Sequence, residues 1–206
     1  LRFILFFFLI NYFFYNSQKI NSLFKTWSIV FFIILIDIYI ERLTGSNILG
    51  FGKIEIDGVV QPNGERVVSF FINEPIAGTF ISGFAFIICG YIFTIFRNNN
   101  KYKPLSLIIP ALILTGILLT GERSNTIKSF SGIFLFIILI DYIKIRNKIF
   151  LVLFCLITFF VTINFSDYVK KRYYGQIYKP IINKEIRDWY LNKNLYLKLY
   201  RSGISV

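Results

Sequence analysis

The sequence predicts an all-α fold: a polytopic membrane helix bundle of about six spans. Three observations carry that expectation. Several apolar runs approach the roughly 20 residues that cross a bilayer. Short polar breaks punctuate them all along the first four-fifths of the chain. Lysine and arginine collect in alternate breaks, as the positive-inside rule requires of a chain that threads back and forth.

Taken in order, residues 1–15 form the first span, and 16–25 a polar loop with Lys19 and Lys25. Residues 27–40 form the second, with Asp37 near its far end. A Gly-rich polar loop covers 41–66, and within it Asp57-Gly58 reads as a hairpin turn. The third span is 75–96, with Asn73 or Glu74 as its cap and Pro75 in its first turn. Residues 104–120 form the fourth, 126–143 the fifth and 149–165 the sixth. Asp141 and Lys144 fall at i and i+3, the spacing of a local ion pair on a helix. Residues 166–206 read as the start of a large external loop, basic and rich in tyrosine. Its aromatic and basic residues suit the headgroup layer, with a helical stretch near 185–199.

Composition narrows the function. The net charge of +12 is read first as a topology signal and second as a signal for anions. A nucleic-acid partner is set aside, because the basic residues of the tail follow six apolar runs. Histidine is absent, so neither a histidine zinc site nor a histidine base can be built from these residues. Cys89 and Cys155 fall inside apolar runs and do not read as a disulfide framework. Methionine is also absent and the chain opens inside an apolar run, which predicts a fragment of a longer protein.

The purely basic loops follow the first, third and fifth spans, which places them in the cytoplasm and the intervening loops outside. Two arginines then fall on the outer side. Arg66 leads the segment into the third span, and Arg123 follows Gly121 in the break between the fourth and fifth. Gly121 can close one helix in the left-handed conformation, and Ser124, Asn125 or Thr126 can cap the next. Each arginine thus lies near an outward-facing helix N-terminus, where amides and dipole favour an anion. Two planar guanidinium forks on one face suit a diphosphate; two headgroup anchors are the simpler alternative. Glu74 and Glu122 read as first-turn carboxylates that complement a helix dipole. Asp37 reads as snorkelling or pairing with a base.

Three stretches together resemble the O-antigen ligase and O-antigen polymerase family of bacterial membrane glycosyltransferases. They are Arg66–Gly78, with its Asn73-Glu74-Pro75; Leu119-Thr120-Gly121-Glu122-Arg123-Ser124; and Tyr200-Arg201-Ser202-Gly203. The resemblance implies a fold of the GT-C type in the bacterial inner membrane, with the active face in the periplasm. It implies an oligosaccharide donor carried on undecaprenyl diphosphate and a glycan or lipid A-core acceptor, with no cofactor and no metal. It implies catalytic roles for Arg66 and Arg123 at the leaving diphosphate, and substrate contacts from those two, Glu74 and Arg201. Ligases of the family also use a histidine, which this chain lacks, so the isolated chain is expected to be inactive. A transporter or flippase for a lipid-linked or anionic solute is the rival, and a structural membrane subunit a third reading. A transporter would put charges near the midplane, whereas here they cluster at span ends.

Overall fold

The apolar runs fold as helices. The computed structural model describes residues 2–15, 17–52, 55–56, 59–60, 66–72, 74–97, 103–141, 143–185 and 188. Six helices of some length follow one another: α1 (Arg2–Phe14), α2 (Ser17–Thr44), α3 (Ala77–Phe96), α4 (Lys103–Thr120), α5 (Arg123–Leu139) and α6 (Ile145–Phe165). After α6 come α7 (Asp167–Lys170), a π-helical segment (Lys171–Tyr178) and α8 (Lys179–Ile182). A two-residue antiparallel pairing, Glu55↔Val60 and Ile56↔Val59, agrees with the expected hairpin. Asp57 and Gly58 themselves lie outside the described residues.

Helix α4 is the axis of the bundle and touches α2, α3, α5 and α6. Its sequence explains that position. Ile109, Ala111, Ile113, Leu114, Ile117, Leu118 and Leu119 leave it apolar nearly all round, and all are buried. Ile34, Leu35 and Ile38 of α2 and Ile81, Ala85 and Ile88 of α3 form core walls against it. The outer faces are also apolar: Ile29, Ile33 and Ile36 on α2, Phe134, Leu135 and Ile138 on α5, and Phe150, Leu153, Ile157 and Phe160 on α6 stay exposed. A bundle apolar both inside and outside is suited to a hydrocarbon solvent.

Three helices are long and apolar enough to cross a membrane: Gln18–Thr44, Ala77–Phe96 and Ile145–Asn164. The protein is thus a helical membrane protein. The other three are shorter. The 13 residues of α1 rise about 20 Å, less than the roughly 30 Å of a hydrocarbon core. The apolar part of α4 covers Ile108–Thr120, and α5 has 17 residues.

Several boundaries differ from expectation. The polar loop expected at 16–25 is helix from Ser17 onward and forms the first two turns of α2. Its Gln, Lys, Asn and Ser residues are polar, but it holds no Gly or Pro to break a helix. At the other end α2 runs to Thr44, past the expected stop at Ile40, until Gly45 closes it at φ +83°. Helix α5 stops at Leu139 rather than 143. Asp141 and Lys144 therefore lie past its end, exposed, and make no ion pair, since the i, i+3 spacing holds only within a helix. Ile145 to Lys148 belong to α6, whose basic residues begin in its first turn.

Candidate functional site

One end of the bundle gathers the C-termini of α2 and α4, the N-termini of α3 and α5, and the segment after α6. Gly121, at φ +78°, ends α4 as its sequence predicts, and its amide donates to the Leu118 carbonyl. Helix α5 then opens at Arg123. Its N-cap residue is Glu122, in extended backbone, and no side chain caps it. Ser124, Asn125 and Thr126 are therefore first-turn residues and not caps. Thr126 instead turns its hydroxyl back to the Glu122 carbonyl (3.0 Å) and to the Tyr173 hydroxyl (2.7 Å). Burial pushes the Tyr173 hydroxyl up to about 12, and its bond with Thr126 works in the opposite sense.

The Glu122 carboxylate reaches across to α3. Its Oε1 accepts from the Gly78 amide (3.2 Å) and its Oε2 from the Thr79 hydroxyl (3.0 Å); Asn125 Nδ2 also donates to Oε2. Glu122 thus complements the positive end of a helix other than its own. Of the two caps expected for α3, Glu74 does not take that role. The N-cap position of α3 is Ile76, without a side-chain bond, Pro75 precedes the first turn, and Glu74 is exposed. Asn73 lies outside the described residues. Gly78 permits the approach: a Cβ there would stand 2.5 Å from Thr120 Oγ1 and 2.8 Å from the Glu122 carboxyl carbon.

The last turns of α2 hold the segment that carries Arg66. Glu41 Oε1 accepts from the Val68 amide (2.9 Å), and Oε2 from the Ser69 amide (2.6 Å). Asp37 does not snorkel, and it pairs with no base among the described residues. It is 0% exposed, accepts the Ser69 hydroxyl at 2.5 Å, and takes the Ile48 amide at 3.0 Å. Asn47 Nδ2 donates to the Ser69 carbonyl (2.8 Å). All of the polar groups of Ser69 are therefore held, which is what keeps a non-glycine residue at φ +52°.

Arg42, on the next α2 position, is 8% exposed. Its Nε and Nη2 both donate to the Leu119 carbonyl, at 3.0 and 2.7 Å, and its guanidinium lies 3.9 Å above the Tyr168 ring. Leu119 sits in the last turn of α4, where carbonyls lack helical partners and a cation is favoured. Arg172 adds a longer bond from its Nε to the Gly121 carbonyl (3.4 Å).

The two arginines named from the sequence come to this same end. The Val67 amide donates to the Thr120 carbonyl (3.4 Å), which joins the Arg66 segment to the α4–α5 turn. Arg66 is exposed and Arg123 half-buried. Neither guanidinium has a hydrogen-bond or ion-pair partner among the described residues, in contrast to Arg42. Glu74 is exposed on the strand of chain that leads into α3. Arg201 lies outside the described residues, as does most of the stretch 185–199. No group of three potential metal ligands occurs among the described residues.

Sequence reasoning missed Glu41, Arg42 and the cross-helix role of Glu122. A signal for the first was present: Asp37 and Glu41 are one turn apart and share a face of an apolar helix. No family model matches this sequence, and no curated protein and no solved structure matches it.

Proposed function

We propose that the protein is a membrane glycosyltransferase of the O-antigen polymerase or ligase type, with Arg66 and Arg123 binding the diphosphate of a lipid-linked oligosaccharide donor. The single observation that supports this reading is the bond from Val67 to Thr120, which joins the segment of Arg66 to the turn before Arg123, two arginines without a hydrogen-bond partner among the described residues. The family resemblance of the same two stretches supplies the reaction. An acceptor hydroxyl oxygen bonds to the anomeric carbon of the donor, and the bond from that carbon to the phosphate oxygen breaks. The lipid diphosphate leaves with the electron pair, and the arginine forks stabilise the charge it gains.

The geometry refines the expected anion site. The Gly78 amide at the start of α3 already serves Glu122, whereas no side chain caps α5. The diphosphate is therefore assigned to the two guanidinium groups and the start of α5. Glu74, exposed on the Arg66 side, is assigned to the sugar. In this reading the shorter helices α1, α4 and α5 join the three long ones as further spans of a GT-C-like bundle. The arginine end faces the periplasm of the inner membrane.

The test uses the full-length protein in membranes, with lipid-linked donor and glycan product measured at matched expression. Arg66→Ala with Arg123→Ala should abolish transfer, and Arg123→Lys should impair it, because lysine keeps the charge without the fork. Loss of one such contact raises the barrier by about 2.7–4 kcal/mol, by analogy with an oxyanion-hole donor. Near-normal transfer by the double variant sinks the assignment. Movement of intact donor across the bilayer without glycosidic bond formation would instead favour a flippase.

A further inference from the structure

We infer that Glu41 and Arg42, neighbours on the last turn of α2, are positioning residues that set the separation of Arg66 and Arg123. The inference rests on the diphosphate reading given above and adds residues to it. Three features of the site point this way.

First, the two side chains grip the two halves of the site separately. Glu41 accepts both the Val68 and Ser69 amides, two and three residues after Arg66. Arg42 donates twice to the Leu119 carbonyl, four residues before Arg123. The halves lie more than 50 residues apart in the chain, and the direct bond between them, Val67 to Thr120, is long at 3.4 Å. The bonds to α2 are shorter and charge-assisted, so α2 is the stronger tie.

Second, the signs of charge match what each half offers. The Arg66 segment presents amide donors, which a carboxylate takes. The end of α4 presents orphan carbonyls, which a guanidinium takes. Exchange of the two residues would leave both halves unheld.

Third, the surroundings fix the clamp itself. Arg42 stands over the Tyr168 ring, and Asp37, one turn before Glu41, takes the Ser69 hydroxyl. A Cβ on Gly52 would meet Glu41 Oε1 at 2.5 Å, so that loop also closes over the carboxylate. A rigid first contact with a ligand requires such a supporting layer.

The experiment measures distance directly. Spin labels are placed at Arg66→Cys and Ser124→Cys in the full chain, with Cys89 and Cys155 replaced, in lipid nanodiscs. Glu41→Gln keeps the shape but loses an oxygen acceptor; Arg42→Lys keeps the charge but loses the fork. Each should broaden the 66–124 distance distribution while the melting temperature stays within a few degrees. In unlabelled chains each should slow transfer on the order of 100-fold, the scale of a small misplacement of reacting groups. Narrow, unchanged distributions in both variants overturn the inference. If a variant fails to fold, amide exchange in the unaltered protein decides: slow exchange at Val68 and Ser69 supports the clamp, and exchange at open-loop rates defeats it. Broadened distances in a protein that transfers no glycan leave the clamp standing and remove the glycosyltransferase reading. Normal transfer with unchanged distances does the reverse.

Discussion

The two ends of the bundle are built on different principles. At the α4–α5 end, Asp37, Glu41, Arg42, Ser69 and Glu122 are buried and bonded across elements far apart in sequence. At the opposite end, the cross-helix bonds seen among the described residues join exposed groups: Tyr91 to Asn21 (2.9 Å), Lys148 to the Ile138 carbonyl (2.6 Å) and Lys19 to the Tyr12 hydroxyl. The second end is mostly basic, with Asp141 the acid between α5 and α6, and the first mixes both signs. The lesson is that charge balance marks where a membrane bundle fixes its backbone. A bare cation can snorkel to headgroups, but a buried acid must find donors. Once acids hold amides and a buried base holds carbonyls, the backbone of this end is fixed, and Arg66 and Arg123 have no hydrogen-bond partner among the described residues.

The strongest way to break this contrast is Glu122→Ala. It leaves the Gly78 amide, the Thr79 hydroxyl and the Asn125 amide without their shared acceptor. The expected loss is about 3 kcal/mol, since bonds to a buried charge are the stronger kind. Denaturant titration in detergent measures it. A loss no larger than that of a surface substitution would show that Glu122 is not the cap of α3.

Ser69→Ala is expected to come next, at about 1–3 kcal/mol, because it leaves the Asp37 carboxylate without the hydroxyl it accepts. Alanine must also adopt the φ of +52° that Ser69 holds. Asp37→Asn in the same background should recover part of the loss by removing the unpaired charge. Absence of any recovery would assign the effect to the backbone rather than to the carboxylate.

Tyr173 gives the contrast a pH dependence. Its hydroxyl titrates near 10 when exposed, and burial raises it to about 12 in the fold. Its stabilising share is complete below pH 10, where the hydroxyl is neutral in both states. Above that, the unfolded chain loses its proton first, so stability falls as pH rises toward 12. Other tyrosines contribute as well, so the test is the difference between the unaltered protein and Tyr173→Phe. The variant should show a shallower decline over this window; parallel curves would refute a buried neutral Tyr173.

What the sequence made legible divides along the same line. Gly121 was readable because a positive φ is a local requirement that glycine meets. The span cores were readable because apolar length is a local property. The pairing of Glu122 with Gly78 was not, since it joins positions 44 residues apart. From the sequence its carboxylate reads as a first-turn complement to the dipole of its own helix, because only that helix is visible along the chain. Ser17 to Lys25 misled for another reason. Its polarity suggests a break, but a helix end needs a residue that stops hydrogen bonding, and that stretch has none. The meeting of the Arg66 segment with the α4–α5 turn is half-readable: parity of the expected spans puts both on one side, and the bond from Val67 to Thr120 is tertiary.

The smallest effects are expected at the opposite end, where they sharpen the contrast by their absence. Tyr91→Phe removes a bond to Asn21 between exposed groups, and water replaces what is lost. Lys148→Ala removes one donor from the Ile138 carbonyl near the end of α5, which is also exposed. Each should change stability by about 0.5 kcal/mol or less, the range of ordinary surface substitutions. Because the two sites share no partner, the double variant should equal the sum of the singles. Neither should alter the 66–124 distance distribution or, under the proposed function, the rate of glycan transfer. A large effect from Tyr91→Phe on either would mean that the ends are coupled through α2 and α3. The separation of a fixed end from a loosely tied one would then fail as a description of this bundle.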